Sequence, residues 1–333
     1  MTKKKQREKD SDVKEINFDS YSSEINITVI GIGGSGCNAI NNMIDCGLDG
    51  VDLIAIDTDY EGLEYNSNVK TKLFIGDKSS GGLSTKGNPK IGLLAAVESR
   101  QEIENSIWEC DLLFIVAGLG GGTGSGAAPV IAKIARAMGI ITVGLVTMPF
   151  SIEGRLRKNK AKKGLKCLKE HIDAVYAADL DKLDSPKNRD AKVFELDRSY
   201  YYGLCNIVKS VKELVSGTGF INVDFEDIKE VLRNQGDVFF GLGRGSGEER
   251  CKKAVDAAFE NSFSDICLND AKHVLLRIVG NEDMGMLEFS ETANLIEQKV
   301  SEKADIRIGM AIDDSYGDEI GVTIIATGFT DNE

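Results

Sequence analysis

The stretch that decides the fold is AGLGGGTGSGAAP, residues 117–129, which contains six glycines, a threonine and a serine. It ends the apolar run DLLFIVAG and leads into APVIAKIARAMG, whose apolar spacing predicts a helix. Glycines let backbone N–H groups approach an anion, and a helix N-terminus adds partial positive charge. Thr123 and Ser125 add hydroxyl donors. The stretch therefore predicts a phosphate-binding loop made by the backbone, without the lysine of a P-loop.

A second glycine loop, GIGGSG at residues 31–36, lies between a predicted strand and a predicted helix. Its GxGxxG spacing, with Asp57 closing the next strand, is by itself a dinucleotide-binding pattern. The alternative is a tight turn without a ligand. A third candidate is GGLSTKGNP, residues 81–89, which precedes another predicted helix. Because parallel strands end at one edge of a sheet, we expect the three loops to surround a polyphosphate there.

The order of the predicted elements indicates an α/β protein. From Ile25 onwards, buried strands alternate with helices of roughly 10 to 15 residues, which is typical of right-handed βαβ units. We predict a flexible charged tail at residues 1–24, a Rossmann-like parallel-sheet domain at 25–190 and a long central helix at 191–217. A smaller mixed α/β C-terminal domain is predicted at 218–330, where the glycine-rich stretch GLGRGSGEE separates two helices.

Composition excludes several classes of protein. A formal net charge of −13 over 333 residues argues against a nucleic-acid-binding protein, which needs clustered lysine and arginine. Seven cysteines and two histidines lack disulfide-framework or zinc-site spacing, so we expect buried, reduced thiols and no metal site of their own. No apolar run reaches the roughly 18 residues of a membrane-spanning helix. We expect a cytoplasmic protein that does not insert directly into a membrane.

Several segments together resemble the tubulin/FtsZ family, and bacterial or archaeal FtsZ more closely than eukaryotic tubulin. GGGTGSG at 120–126 resembles the family's signature loop, GIGGSGCNA its first phosphate loop and MPFSIEGRLR its segment with a glutamate and an arginine for the nucleotide. GFINVDFEDI resembles the catalytic loop, and IDDSYGDEIGVTIIATGF the C-terminal strands. Their order and spacing match from Ile27 to Phe329. The resemblance implies the tubulin/FtsZ fold and a GTPase that polymerises head to tail, each nucleotide being completed by the next subunit's catalytic loop.

The resemblance also implies which residues bind GTP or GDP, with Mg²⁺ as the expected cation. Glu153 is expected to meet the ribose and Arg157 the nucleotide, although their spacing alone also fits a surface ion pair on a helix. The full predicted binding set is Gly33, Gly34, Ser35, Gly36, Cys37, Asn38, Asp59, Gly87, Asn88, Gly120, Gly121, Gly122, Thr123, Gly124, Glu153, Arg157 and Tyr202.

Three departures from the family pattern affect these expectations. The third loop has Ser-Thr-Lys at 84–86, so Lys86 either supplies charge near the γ-phosphate or points to solvent. Asp-Thr-Asp at 57–59 adds a carboxylate near the phosphates or their Mg²⁺. Leu180 stands where relatives often have asparagine, and Tyr202 falls at a base-contacting position, where it could stack on a purine but would not select guanine. GTP is therefore expected on resemblance alone.

The predicted catalytic residues are Asp224, Asp227 and Asn222. At a helix start, residues three apart project to the same side, so the two carboxylates could orient the attacking water and help to hold a cation. Asn222 would act as a polar positioner. The alternative reading of the spacing is an N-capped helix whose acids are stabilised at its positive end. The resemblance favours the catalytic role, in a C-terminal activation domain.

Two other functions remain open from the sequence. The first is a structural or regulatory FtsZ paralogue that binds nucleotide with little or no turnover, alone or together with a conventional FtsZ or other filament-binding proteins. The second is an NAD-dependent oxidoreductase, which GxGxxG alone suggests and GGGTGSG argues against. Because the sequence given ends at Glu333, we also expect no linker or adaptor-binding peptide after the core.

Overall fold

The computed structural model describes residues 25–183, 193–216, 221, 223–262, 264 and 266–329, with the backbone alone for residues 66, 183 and 193–199. The predicted N-terminal tail and Asn222 lie outside the described residues. The strands in this part of the chain are β1 (Ile27–Ile32), β2 (Asp52–Asp57), β3 (Thr71–Phe74), β4 (Leu112–Gly118), β5 (Ile141–Met148), β6 (Ala174–Asp179), β7 (Gly236–Gly245), β8 (His273–Gly280), β9 (Asp305–Ile312) and β10 (Ile320–Thr327).

The helices lie between these strands, as the sequence pattern predicts. They are α1 (Gly33–Asp45), α2 (Tyr60–Asn66), α3 (Asp77–Ser80), α4 (Pro89–Glu98), α5 (Arg100–Ser106), α6 (Thr123–Ala137), α7 (Arg155–Lys169), α8 (Val193–Val215), α9 (Phe225–Leu232), α10 (Arg250–Glu260) and α11 (Met286–Glu297). One short 3₁₀ turn, Ser151–Glu153, precedes α7, and another, Leu180–Leu183, follows β6.

The strands join into a sheet of order β3-β2-β1-β4-β5-β6-β7-β10-β8-β9. The first six are parallel, and their order reverses between β1 and β4, where doubly wound sheets leave a crevice outside the strand ends. β7 continues the sheet through a short parallel contact with β6 and pairs antiparallel with β10. The predicted α/β class with a parallel sheet is confirmed, whereas the domain boundaries stay a prediction.

The central parallel strands β1, β4 and β5 are buried on both faces, which explains their apolar runs. On one face, Phe114 of β4 packs with Met43 of α1 and Val208 of α8. On the other face, its neighbour Ile115 packs with Ile131 of α6. Alternate residues of each strand thus belong to separate cores, and the central helix α8 covers one of them.

The structure differs from the sequence expectation at the glycine-rich stretch, because residues 236–245 form the strand β7. Its glycines allow α10 to pack closely: a Cβ on Gly243 would lie 2.0 Å from the carbonyl oxygen of Ala254, and one on Gly245 2.1 Å from that of Arg250. The preceding helix α9 also ends earlier than expected, at Leu232. Glycine weakens a strand in general, and here close packing against a helix outweighs that tendency.

Asp173 ties α9 and β7 to the amino edge of the parallel sheet, where β5 and β6 begin. Its buried carboxylate accepts hydrogen bonds from the backbone N–H and the hydroxyl of Thr142, both at 2.9 Å, and from the N–H of Asn234 at 3.2 Å. Its carbonyl oxygen accepts from the N–H groups of Gln235 and Gly236. The turn between α9 and β7 is therefore fixed at the edge opposite to the strand ends.

The cysteines are free, and three of them, Cys46, Cys167 and Cys267, are exposed rather than buried as expected. Within the described ranges, none of the helices has the length and apolar character needed to span a bilayer.

Candidate functional site

A cavity of about 310 Å³ opens at the carboxyl edge of the sheet, where the strand order reverses. The loop after β1, the loop after β4, the third glycine loop and the start of α7 all contribute to its wall. The lining residues that the sequence analysis predicted are Gly33, Gly34, Ser35, Gly121, Gly122, Thr123, Gly124, Glu153 and Arg157. The expected convergence of the glycine loops therefore occurs.

Glycine contacts hold the three loops together. A Cβ on Gly118 would lie 2.7 Å from the Cβ of Ser35, so the loop after β4 fits directly against the loop after β1. A Cβ on Gly122 would lie 2.0 Å from the hydroxyl oxygen of Thr85, so the third loop closes against the same segment. Gly33 adopts a φ of +71°, which favours glycine. These glycines serve loop packing as well as approach to a ligand.

Two long helices begin at the cavity without a side-chain cap. The residues before α1 and α6, Ile32 and Gly122, make no side-chain cap hydrogen bond, and neither helix has an acidic residue in its first turn. The first N–H groups of a helix lack partners within it, and its N-terminus carries partial positive charge. A Cβ on Gly34 or Gly121 would meet only open space. This donor set fits the phosphates of a nucleotide.

A buried polar chain supports the start of α6. The hydroxyls of Thr58 and Thr123 lie 3.2 Å apart, and the N–H of Thr58 donates to Asp57 at 2.7 Å. Burial raises the pKa of Asp57, which is 8% exposed. The extra carboxylate noted in the sequence thus lies beneath the loops, bonded to the neighbouring backbone, and does not line the cavity.

The segment that leads into α7 is fixed by Asp181. The backbone N–H of Ser151 donates to Asp181 at 2.7 Å, and the ammonium of Lys158 lies 3.0 Å from the same carboxylate. The hydrogen bonds from Ser151, followed by that from Lys158, lower the pKa of Asp181 to about 2. Glu153 and Arg157 form the (i, i+4) ion pair at 3.0 Å and also line the cavity. The position of this pair is therefore compatible both with a contact to the nucleotide and with a surface ion pair.

Eight residues of the predicted set do not line the cavity, and those near α1 face away for packing reasons. A Cβ on Gly36 would lie 2.6 Å from the carbonyl oxygen of Val116, so this glycine permits the helix to approach the strand. Cys37 is buried in the core, where burial raises the pKa of its thiol to about 12. Asn38 is exposed farther along α1. The side chains of Cys37 and Asn38 therefore lie outside the cavity lining, and their predicted contact with the nucleotide stays a prediction.

The others have local structural roles. The carboxylate of Asp59 caps α2, and the side chain of Asn88 caps α4, each accepting from an N–H of its own helix at 3.0 and 3.1 Å. The carbonyl oxygen of Gly87 accepts from Lys160 at 2.6 Å. Gly120 has a φ of +96°, and its N–H donates to the hydroxyl of Ser125. Lys86 is exposed, which agrees with the solvent-facing alternative.

Tyr202 does not line the cavity of the glycine loops, and its predicted contact with the base stays a prediction. Its neighbours Tyr200 and Tyr201 are 2% and 6% exposed in the core, whereas Tyr202 is 55% exposed on another face of α8. It lines a separate cavity of about 650 Å³ with residues of the C-terminal strands, among them Arg244 and Tyr316. Successive helical residues point about 100° apart, so Tyr202 points away from the core that buries Tyr200 and Tyr201.

Thr85 and Leu180, which the sequence marked only as departures from the family pattern, line the cavity, and so does Thr147, which sequence reasoning missed. Thr147 is the residue before the last one of the apolar strand β5, and Leu180 directly follows β6. Their location at the ends of predicted strands could have identified them, because the carboxyl ends of parallel strands meet at the site.

The predicted catalytic acids form a capping box at the start of α9. The N–H of Asp227 donates to Asp224 at 2.8 Å, and the N–H of Asp224 donates to Asp227 at 3.1 Å. Asp224 is exposed. The capped-helix reading is thus observed, and the guanidinium of Arg307, which the sequence analysis missed, also binds Asp227. Neither acid lines the cavity.

The helix that carries the acids is attached, through the turn that follows it, to the edge of the sheet opposite to the cavity. β5 has eight residues, so its two ends lie about 25 Å apart at roughly 3.3 Å per residue. Thr147 near one end lines the cavity, while Thr142 near the other end shares Asp173 with the turn that follows α9. α9 has eight residues and spans about 12 Å, so its first turn stays short of the cavity.

Comparisons with known proteins agree with this architecture. The family model "Tubulin/FtsZ family, GTPase domain" matches residues 26–185, and "FtsZ family, C-terminal domain" matches residues 236–330. An empty FtsZ dimer from M. jannaschii is 36% identical, with a TM-score of 0.83 over 93% of this chain and 90% of that chain. CetZ2 from Haloferax volcanii, in a GTPγS-bound protofilament, has a TM-score of 0.78 at 22% identity over 93% and 95% of the two chains, a likeness of fold alone. The protein whose glycine loops converge on this cavity therefore belongs to the tubulin/FtsZ family.

Proposed function

We propose that this protein is a cytoplasmic, FtsZ-like cytoskeletal GTPase that assembles head to tail into protofilaments. GTP occupies the cavity of the glycine loops, and Asp224 and Asp227 of the next subunit complete the site. The observation that carries the proposal is the separation of the two parts: the cavity lining includes neither acid, and their helix is fixed toward the opposite edge of the sheet. A second copy that stacks edge to edge would bring them together.

Each part has a distinct chemical task in this proposal. The uncapped N-termini of α1 and α6 donate hydrogen bonds to the phosphates and stabilise the charge that develops during transfer to water. Asp224 and Asp227 of the neighbouring subunit orient the attacking water. Mg²⁺ would neutralise phosphate charge when bound, and the carboxylates of Asp224 and Asp227 would help to hold it.

The first test follows assembly and turnover together. Purified protein is mixed with GTP, GDP, ATP or no nucleotide, and sedimentation, light scattering and phosphate release are recorded. We expect assembly with GTP and a rate of phosphate release per molecule that rises with protein concentration. A rate that is independent of concentration would refute the shared site. Assembly without phosphate release would favour the structural paralogue.

The second test separates binding from turnover. Asp224→Ala is expected to bind GTP normally and to lose hydrolysis, because Asp224 is remote from the cavity of its own chain. Glu226→Ala is the matched control, since this neighbouring acid is also exposed and pairs with Lys229. Mixing Asp224→Ala with a variant that is defective in the cavity should restore hydrolysis at interfaces that combine the two intact halves. Loss of GTP binding in Asp224→Ala would mean that this acid has been assigned to the wrong site.

A further inference from the structure

The guanidinium of Arg307 lies among three carboxylates at the start of α9. One terminal nitrogen donates to Asp227, the other donates to Glu230, and the Nε donates to Asp305 at 3.3 Å. Arg307 belongs to β9, some 80 residues along the chain from Asp227, and its side chain is only 25% exposed. The planar fork of arginine thus links a C-terminal strand to the helix that carries the predicted catalytic acids.

Arg307 makes the two acids unequal. Both carboxylate oxygens of Asp227 are engaged, one by the backbone N–H of Asp224 at 3.1 Å and the other by Arg307. Asp224 uses one oxygen for the N–H of Asp227, and its second oxygen has no partner among the described residues. Asp227 is therefore held through both carboxylate oxygens, whereas among the described residues Asp224 is held through one.

The position also requires a cation. Asp224 caps α9, while Glu226, Asp227 and Glu230 lie within its two turns, and Asp305 approaches the helix from β9. Lys229 pairs with Glu226 at 2.6 Å, and Arg307 pairs with Asp227, Glu230 and Asp305. Like charges at this spacing repel one another, and an approaching triphosphate would add to that repulsion. Arg307 reduces the negative charge that this surface would present to the next subunit.

We propose that Arg307 is a positioning residue of the shared site, which holds the carboxylate of Asp227 in the orientation presented to the nucleotide of the next subunit. The proposal rests on the function proposed above. Arg307 acts through Asp227 and does not line the cavity of its own chain. Its loss therefore lowers turnover without changing the affinity of the isolated subunit for GTP.

The test is a double-mutant cycle on GTP hydrolysis at saturating nucleotide. Arg307→Gln should reduce kcat roughly tenfold, the lower end for outer partners of catalytic groups. Asp227→Asn keeps an acceptor for the capping N–H, and in this background Arg307→Gln should have no further effect. Arg307→Lys retains the charge without the fork and should recover part of the lost rate. Arg244→Gln is the matched control, because Arg244 also pairs with an exposed carboxylate, that of Glu319 at 3.2 Å. This variant should hydrolyse GTP at the normal rate.

Each outcome decides the proposal. An unchanged kcat in Arg307→Gln, with hydrolysis intact in the unsubstituted protein, overturns the positioning role and leaves the proposed function standing. The proposal would also be overturned if the fold reductions in kcat caused by Arg307→Gln and by Asp227→Asn multiplied in the double variant. That result would show that Arg307 acts independently of Asp227. If Arg307→Gln does not fold, Arg307→Lys against the same Asp227→Asn background gives the decision. Absence of concentration-dependent hydrolysis in the unsubstituted protein would refute the proposed function, and this inference with it.

Discussion

Gly121 and Gly122 are neighbours in the signature loop, yet they are expected to respond differently to the same added methyl group. A Cβ on Gly121 would meet nothing within 4 Å, whereas a Cβ on Gly122 would lie 2.0 Å from the hydroxyl of Thr85 and 2.8 Å from the backbone nitrogen of Asn88. Ordinary Cβ contacts begin at 3.4 Å, so the Thr85 hydroxyl would have to move by about 1.4 Å. Gly122→Ala therefore separates the third loop from the signature loop.

The cost of that separation can be bounded. Overpacking of a closely packed site costs typically 1–3 kcal/mol, and the backbone of the third loop cannot rotate away as a flexible side chain could. We expect Gly122→Ala to lose roughly 2 kcal/mol of unfolding free energy and also to bind GTP less tightly. Gly121→Ala should unfold like the unsubstituted protein, because its methyl group occupies open space. Since Gly121 lines the cavity, that methyl group should still weaken GTP binding.

The assay measures the two properties separately. Equilibrium or thermal unfolding without nucleotide reports stability, and titration of a fluorescent GTP analogue reports affinity. The informative result is a dissociation of the two in Gly121→Ala, with normal stability and weaker binding. Normal GTP affinity in Gly121→Ala would refute the assignment of the cavity to phosphate. Normal stability in Gly122→Ala would refute the packing argument for the three loops.

Three further perturbations follow from the structure. Asp173→Asn replaces an oxygen that accepts two hydrogen bonds from Thr142, so it should lower the free energy of unfolding by about 2–3 kcal/mol. A loss of less than about 1 kcal/mol, measured by unfolding in denaturant, would contradict that reasoning. Gly243→Ala should separate α10 from β7, because its Cβ would lie 2.0 Å from the carbonyl oxygen of Ala254; proteolysis of the C-terminal strands would detect this, and unchanged protection would contradict it. Asp181 has a lowered pKa in the folded protein, so its contribution to stability is complete above about pH 4 and is lost as the pH falls toward about 2. In acid unfolding, an Asp181→Asn variant should therefore lose less free energy of unfolding over that pH interval than the unsubstituted protein does.

The sequence predicted the parts of the site that depend on local backbone geometry. The spacing of glycines after strands specifies a turn and a helix start within a few residues, so the loops at 31–36 and 120–124 could be recognised and their convergence inferred from the parallel sheet. The paired spacing of Glu153 and Arg157 likewise survives in the structure as an ion pair at the cavity wall.

The parts that the sequence could not predict depend on which way a side chain points. Tyr202 has the residue type for stacking on a base, but the burial of Tyr200 and Tyr201 turns it toward the C-terminal strands. Asp59 has the charge of a metal ligand, but its carboxylate caps α2. The strand β7 was missed because its glycines are needed by a helix that follows it. Residue type and spacing do not encode these contacts, since they form only when the elements pack.

The parallel strands themselves set the distance that the proposed mechanism depends on. The cavity needs the carboxyl edge, because only there do the uncapped starts of α1 and α6 point at one space. The acids need the other side, because α9 returns to the amino edge at Asp173. With about 25 Å of strand between the two edges, no loop movement within one subunit would join them without breaking this attachment. In the proposed function, hydrolysis therefore requires a second subunit for a geometric reason, and Arg307 keeps one of the two acids ready on the surface that this subunit meets.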